Sequence, residues 1–150
     1  MLEESFIFET QILRTRFYRS SAFRKWRRLL SEMNENQNRW DWKKEYLIDL
    51  SKERFKKKLE RHESERNDDR VYYFCIERCD RVLVGISIID KINRELQRAE
   101  IGFQLNNKYW GQGYGKDVCR SLVRIARNHL NLRMIVAFIH LQNEPSIQYC

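Results

Sequence analysis

Three of the chain's five glycines fall within residues 111–115, and that clustering limits what the chain can fold into more than any other feature. A chain otherwise sparing with glycine groups them where backbone must turn sharply or approach another group closely. The run Trp110–Lys116 reads W-G-Q-G-Y-G-K. Before it, RAEIGFQL (98–105) alternates strictly. Ala99, Ile101, Phe103 and Leu105 share one face and Glu100, Gly102 and Gln104 the other, the period of a strand. After it, Asp117–Leu130 carries Val118, Leu122, Ile125 and Ala126 at helical spacing. Strand, glycine turn and helix in this order form a general phosphate cradle. Convergent backbone N–H groups meet the positive end of a helix, where a Cβ would hold phosphate oxygens away. Lys116 adds a full charge. Spacing then narrows the ligand. A dinucleotide fingerprint fails because Lys116 stands where its third glycine belongs, and a P-loop fails at Trp110 and Asp117.

The rest of the chain supplies a sheet and helices around this turn. Residues 5–17 alternate well enough for a first strand. Ser20 or Ser21 is placed to cap a helix running to about residue 33, with Phe23, Trp26, Leu29 and Leu30 on one face. A polar, then aromatic, stretch over 34–42 reads as a loop. Ser51 begins a second helix over 51–65 with Phe55 and Leu59 as its apolar pair. Residues 71–78 and 82–90 form two antiparallel strands joined by a tight turn at Cys79–Arg81. The nearly continuous apolar run 133–141 predicts a strand covered on both faces, and a further helix begins at Asn143 or Ser146.

A length of 150 residues suits one domain over 1–150, and 42% hydrophobic with 13% aromatic residues predicts a packed core. The net charge of +8 points to anionic partners, a nucleotide-bearing ligand, an acidic protein or RNA, or to a plainly solvated basic surface. No interleaved aromatic signature of RNA binding is present. Cys75, Cys79, Cys119 and Cys150 lack zinc-type pairing, so no metal site is expected, and Cys75 reads as core. With no signal peptide and no apolar run near the membrane-spanning length of about 18 residues, the expected setting is soluble, reducing and cytoplasmic, away from membranes.

The run from Ala99 to Ser146 resembles the GNAT superfamily of acetyl-CoA-dependent N-acetyltransferases, in particular the branch that acetylates the N-termini of ribosomal proteins. The family's loop pattern, [QR]-x-x-G-x-[GA], is occupied by Trp110, Gly111, Gln112, Gly113, Tyr114 and Gly115. Trp110 departs from the first position, although Y-W-G-x-G-Y is typical of the ribosomal-protein branch. A-E-I-G-F-Q-L looks like that branch's fourth strand, and N-E-P-S-I (143–147) resembles its N-x-x-S segment. The similarity is good over 70–150 and thin over 1–70. It implies an α/β (α+β) fold, a mixed but mostly antiparallel sheet flanked by helices. By this comparison the chain ends before the family's last two strands, which leaves a sheet edge that a homodimer would cover.

The resemblance also assigns roles. The acetyl-CoA pyrophosphate rests on the amides of Gly111, Gln112, Gly113, Tyr114, Gly115 and Lys116. The pantetheine arm lies along splayed backbone near Phe103 and Leu105, whose amides polarise the thioester carbonyl. Asn143 and Ser146 hold the pantetheine or adenine side. Glu100 is the leading candidate for a base acting through water, with a charge pair to Arg98 or a lysine as the alternative. His140 is the second candidate, because imidazole titrates near neutrality, although a histidine closing an apolar strand is more often structural. His62 and His129 read as residues of polar helical surfaces. Many superfamily members carry a tyrosine that serves as general acid where Cys150 stands, next to Tyr149. Trp40, Trp42 and Tyr73 read as core or pocket wall, and Trp42 and Tyr73 as the acceptor's resting place if they line its groove. The implied activity is acetyl transfer to an amine, most simply a protein N-terminal α-amine of a ribosomal or other protein. The alternatives are a small-molecule amine acetyltransferase and a truncated CoA-binding module.

Overall fold

The computed structural model describes residues 1–41 and 49–148. Among them a six-stranded sheet runs in chain order: β1 (Ile7–Glu9), β2 (Leu13–Arg16), β3 (Tyr72–Arg78), β4 (Leu83–Asn93), β5 (Arg98–Leu105) and β6 (Met134–Val136). Neighbours are antiparallel except β5 and β6, which run parallel. The helices are α1 (Phe23–Ser31), α2 (Lys52–Asn67), α3 (Tyr114–Asn128) and the short α4 (Glu144–Ile147). This is the mixed, mostly antiparallel sheet flanked by helices that the sequence predicts.

Alternation along the strands divides the core into two layers. Tyr72, Phe74, Ile76, Val84 and Ile89 point to the layer that α3 closes with Val118, Leu122 and Ile125. Cys75 and Leu83 point the other way, into a layer made by Trp26, Leu29 and Leu30 of α1 and Phe55 of α2. Cys75 is core as expected, and burial pushes its thiol up to about 12, so it is inert as a nucleophile. β4 and β5 approach closely at Gly85: a Cβ there would collide with the Gln104 carbonyl and lie 3.1 Å from Leu105 Cα.

Local chemistry explains where the elements depart from the sequence reading. The single strand over 5–17 is two strands, because the Thr10 hydroxyl accepts from the Ile12 and Leu13 amides at 3.2 and 3.0 Å and turns the chain into a hairpin. Neither Ser20 nor Ser21 caps α1. Residues 20–22 instead form a 3₁₀ turn, and the cap position, Ala22, has no side-chain cap. Ser51 does cap α2, accepting from the Arg54 amide at 3.2 Å, and the helix continues past residue 65 to Asn67. β4 extends to Asn93, beyond the predicted end at residue 90, and α3 begins at Tyr114 rather than Asp117.

The largest correction concerns 133–141. Only Met134–Val136 is strand, β6 is an edge of the sheet, and Met134 and Phe138 are 54% and 76% exposed. An apolar run marks a strand with both faces covered only when elements pack on both, and among the described residues none does so here. His62 corrects the other way. It is buried, its ring stacked on Tyr73 at 3.9 Å, because α2 turns it toward β3 instead of solvent.

Candidate active site

The chain enters the glycine loop through a fixed turn. Asn106, 1% exposed, donates to the Leu29 carbonyl at 2.8 Å and accepts from the Lys108 amide at 2.9 Å. Trp110 Nε1 donates back to the Leu105 carbonyl at 3.1 Å. Gly111 and Gly113 then adopt φ of 76° and 80°, a left-handed conformation that L side chains rarely take. A Cβ built on either would meet nothing within 4 Å, so the loop faces open space. Gly113 is the N-cap of α3 and, among the described residues, no side chain caps that helix, which leaves the first-turn amides of Tyr114, Gly115 and Lys116 without a side-chain acceptor there. The one acid of that turn, Asp117, is engaged elsewhere: its carboxylate accepts from the Thr10 hydroxyl at 2.7 Å.

The β5–β6 ladder stops at Glu100 and Val136. Beyond it lies a cavity of about 440 Å³. Phe103, Gln104 and Leu105 of β5 form one wall, and Tyr109, Trp110, Gly111, Gly113, Tyr114 and Gly115 the base. Asn143, Pro145 and Ser146 close the far side, and Asn38 and Trp40 reach over the top. The predicted residues Phe103, Leu105, Gly111, Gly113, Tyr114, Gly115, Asn143 and Ser146 thus meet in one space. Gln112 and Lys116 are exposed and outside its lining.

Asn38, Gln104, Tyr109 and Pro145 are lining residues that the sequence did not single out, whereas Trp40 was read as core or wall and is wall. The 34–41 segment is held there by Asn107. Its side chain accepts from the Asn34 amide at 2.9 Å and donates to the Asn34 and Glu35 carbonyls at 3.1 Å. Gln104 Nε2 reaches the Trp40 carbonyl at 3.4 Å. These contacts join residues about 65–75 apart in sequence, so no local pattern announces them; an asparagine pair before the loop was the one available hint.

The two candidate bases sit differently. Glu100 lies outside the cavity lining. Its carboxylate accepts from Lys91 Nζ at 2.7 Å and Arg98 Nη2 at 3.3 Å, and Lys91 chiefly holds it below the usual carboxylate range. His140 is at the rim, its ring 4.6 Å from that of Trp40, with Nδ1 accepting from the Gln142 amide at 3.2 Å. Tyr73 lies on the opposite side of β5, in a groove beneath α2. Trp42, Tyr149 and Cys150 lie outside the described residues.

A mixed sheet with a glycine loop opening at a strand divergence is the class of protein that the fold and cleft define. A family model described as an acetyltransferase (GNAT) domain matches residues 18–150, and the chain belongs to that family of acetyl-CoA-dependent acyltransferases. An uncharacterized N-acetyltransferase p20 of Bacillus licheniformis is 33% identical over 66 residues, 44% of this chain and 37% of that protein, so the match spans well under two thirds of that relative's length. Two solved structures share the fold. RimJ of Mycobacterium smegmatis, in complex with CoA-disulfide, superposes with a TM-score of 0.79 at 16% identity, covering 95% of this chain and 71% of that one. Ribosomal-protein-S5-alanine acetyltransferase of Vibrio fischeri gives 0.75 at 17% identity, covering 97% and 80%.

Proposed function

We propose that the chain moves the acetyl group of acetyl-CoA to an amine, and that the amine is a protein N-terminal α-amine. The observation that carries the reading is convergence: the uncapped N-terminus of α3, the left-handed glycines and the stretch of β5 beyond the β6 ladder all line one cavity. Its volume, about 440 Å³, is in the range of small-molecule sites, and the open space before Gly111 and Gly113 admits phosphate oxygens to the amides. The fold shared with the ribosomal-protein-S5-alanine acetyltransferase of Vibrio fischeri supports the choice of acceptor.

Acetyl-CoA supplies an activated thioester; the protein supplies placement. The loop amides take the pyrophosphate, Asn143 and Ser146 flank the arm, and Phe103–Leu105 run beside it. The acceptor nitrogen attacks the thioester carbonyl in a ternary complex, the C–S bond breaks, and the proton lost from nitrogen leaves with the thiol. Positioning and desolvation carry most of such a rate enhancement. Glu100, fixed by two cations outside the cavity, fits a structural charge cluster better than a base. Glu100→Gln is therefore expected to retain turnover within about threefold, since Glu100 lies outside the cavity lining and its pair with the largely exposed Lys91 is weak. A loss of two orders of magnitude with acetyl-CoA affinity intact would assign it the base.

The test of the function is thiol release from acetyl-CoA against peptides with free N-termini, their N-blocked counterparts and free small amines. Release with the free peptides and silence with the blocked ones is expected. Release with small amines alone would make the chain a small-molecule acetyltransferase, and binding without release on any acceptor would make it a CoA-binding module.

A further inference from the structure

The groove beneath α2 carries one sign of charge. Arg54, Lys57, Lys58 and Arg61 line a cavity of about 600 Å³ that reaches Tyr73 and Gln104. Gln104 also lines the glycine-loop cavity, so the two spaces meet across β5. A smaller cavity of about 250 Å³ continues from Lys58 and Tyr73 to Phe103, and Phe103 is shared with the glycine-loop cavity as well. No acidic residue lines either space beneath α2, among the described residues.

These cations are partly compensated. Lys57 meets Glu53 at 3.5 Å on the exposed face. The Arg54 guanidinium donates to the Asp49 carbonyl at 2.9 Å, and the Asp49 carboxylate interacts with Arg54 and Lys57 from outside the groove lining. Lys58 lies 5.6 Å from the Tyr18 ring centre and Arg61 5.5 Å from that of Tyr73, and neither has a carboxylate partner among the described residues. Burial, with Arg61 and Arg54 adding to it, lowers Lys58 to about 8. An incoming anion would relieve that strain.

The smaller cavity has the complementary property. Tyr18 Oη and both nitrogens of His62 are buried with no hydrogen-bond partner among the described residues, and both residues line it. They are 8% and 7% exposed. Burial, reinforced by Lys58, Arg61 and Arg66, lowers His62 to about 2, so its imidazole is neutral and offers an acceptor nitrogen. Unpaired buried polar atoms are costly and rare. Here they surround a space at the edge of the cofactor cavity, where an amine would donate hydrogen bonds to them.

We propose that the acceptor is an anionic amine, specifically a peptide N-terminus followed by acidic residues, its nitrogen seated by Tyr18 and His62 and its carboxylates held by Arg54, Lys58 and Arg61. The same positive field favours the uncharged amine, which is the nucleophilic form, and repels polycations. The inference rests on the acetyltransferase reading above and names its substrate class.

Calorimetry on the CoA-saturated protein tests it without requiring turnover. The probes are a peptide with a free N-terminus followed by glutamates, its lysine counterpart, and spermidine. The acidic peptide should bind at least about tenfold more tightly than the lysine peptide, spermidine most weakly, and the advantage should shrink with added salt. Lys58→Glu and, at the exposed positions, Lys57→Glu and Arg61→Glu should each reduce it while CoA affinity holds. Equal affinities, a preference for the basic probes, no binding of either peptide, or indifference to the charge reversals would overturn the proposal. Failure of CoA itself to bind would instead overturn the acetyltransferase reading, a separate titration that uses no peptide.

Discussion

At the scale of single residues, two positions concentrate the constraints. Glu77 is 1% exposed near the end of β3, where Arg16 contacts it through two nitrogens at 2.7 and 3.0 Å and Lys25 Nζ lies at 3.0 Å. Burial alone would raise its carboxyl, but the two cations outweigh burial and hold it below the usual range. Removing its charge strands two cations against the sheet, so Glu77→Gln should cost about 3–5 kcal/mol, read by chemical denaturation. Because the folded carboxyl titrates below its unfolded value of about 4.3, its contribution is complete above that pH. It is lost as pH falls through the lower folded value. Melting curves between pH 7 and pH 3 should show the wild type losing stability on acidification and Glu77→Gln losing less. Gly113 is the second position. At φ 80° a β-branched side chain is strained, and its Cβ would enter the cavity space. Gly113→Val should lower acetyl-CoA affinity by about a hundredfold or more, a loss of one charge-assisted amide contact or two, with the circular dichroism spectrum unchanged.

At the scale of elements, what could be read from sequence was what is locally encoded. The glycine loop, β5 and α3 are contiguous, so Gly111 and Gly113 were legible from spacing as a phosphate cradle, whereas the part of Phe103–Leu105 in that site came from the family resemblance. Cys75 as core and a helix beginning at Ser51 followed from pattern alone. The misses were non-local. The β1–β2 hairpin depends on one hydroxyl, Thr10, that both closes the turn and bonds Asp117 of α3. An alternating pattern across 5–17 hides this. Thr10→Val should therefore destabilise by about 1–2 kcal/mol, measured as a shift in the thermal midpoint, while sparing acetyl-CoA affinity. The roles of Asn38, Gln104 and His62 were likewise set by packing partners far along the chain. His62 looks like a surface residue in a helix of mean polar character, and only the pairing of α2 with β3 buries it.

At the scale of the whole molecule, the sheet separates two environments. On the α3 side it presents a helix N-terminus and glycine amides suited to phosphate; on the α2 side it presents partly compensated cations and the unpaired polar atoms of Tyr18 and His62. β5 is the partition, and Phe103 and Gln104 contact both spaces. The net charge of +8 therefore has a local meaning beyond solubility, because part of it lines a groove. All of this rests on the glycine loop holding acetyl-CoA. Titration of acetyl-CoA into the wild type and Gly113→Val by isothermal calorimetry tests that claim most directly. Saturable binding at one site per chain, with a dissociation constant in the roughly micromolar to millimolar range of such co-substrates, lost in the variant, is the predicted result. No binding by the wild type, or equal binding by a folded Gly113→Val, would contradict it.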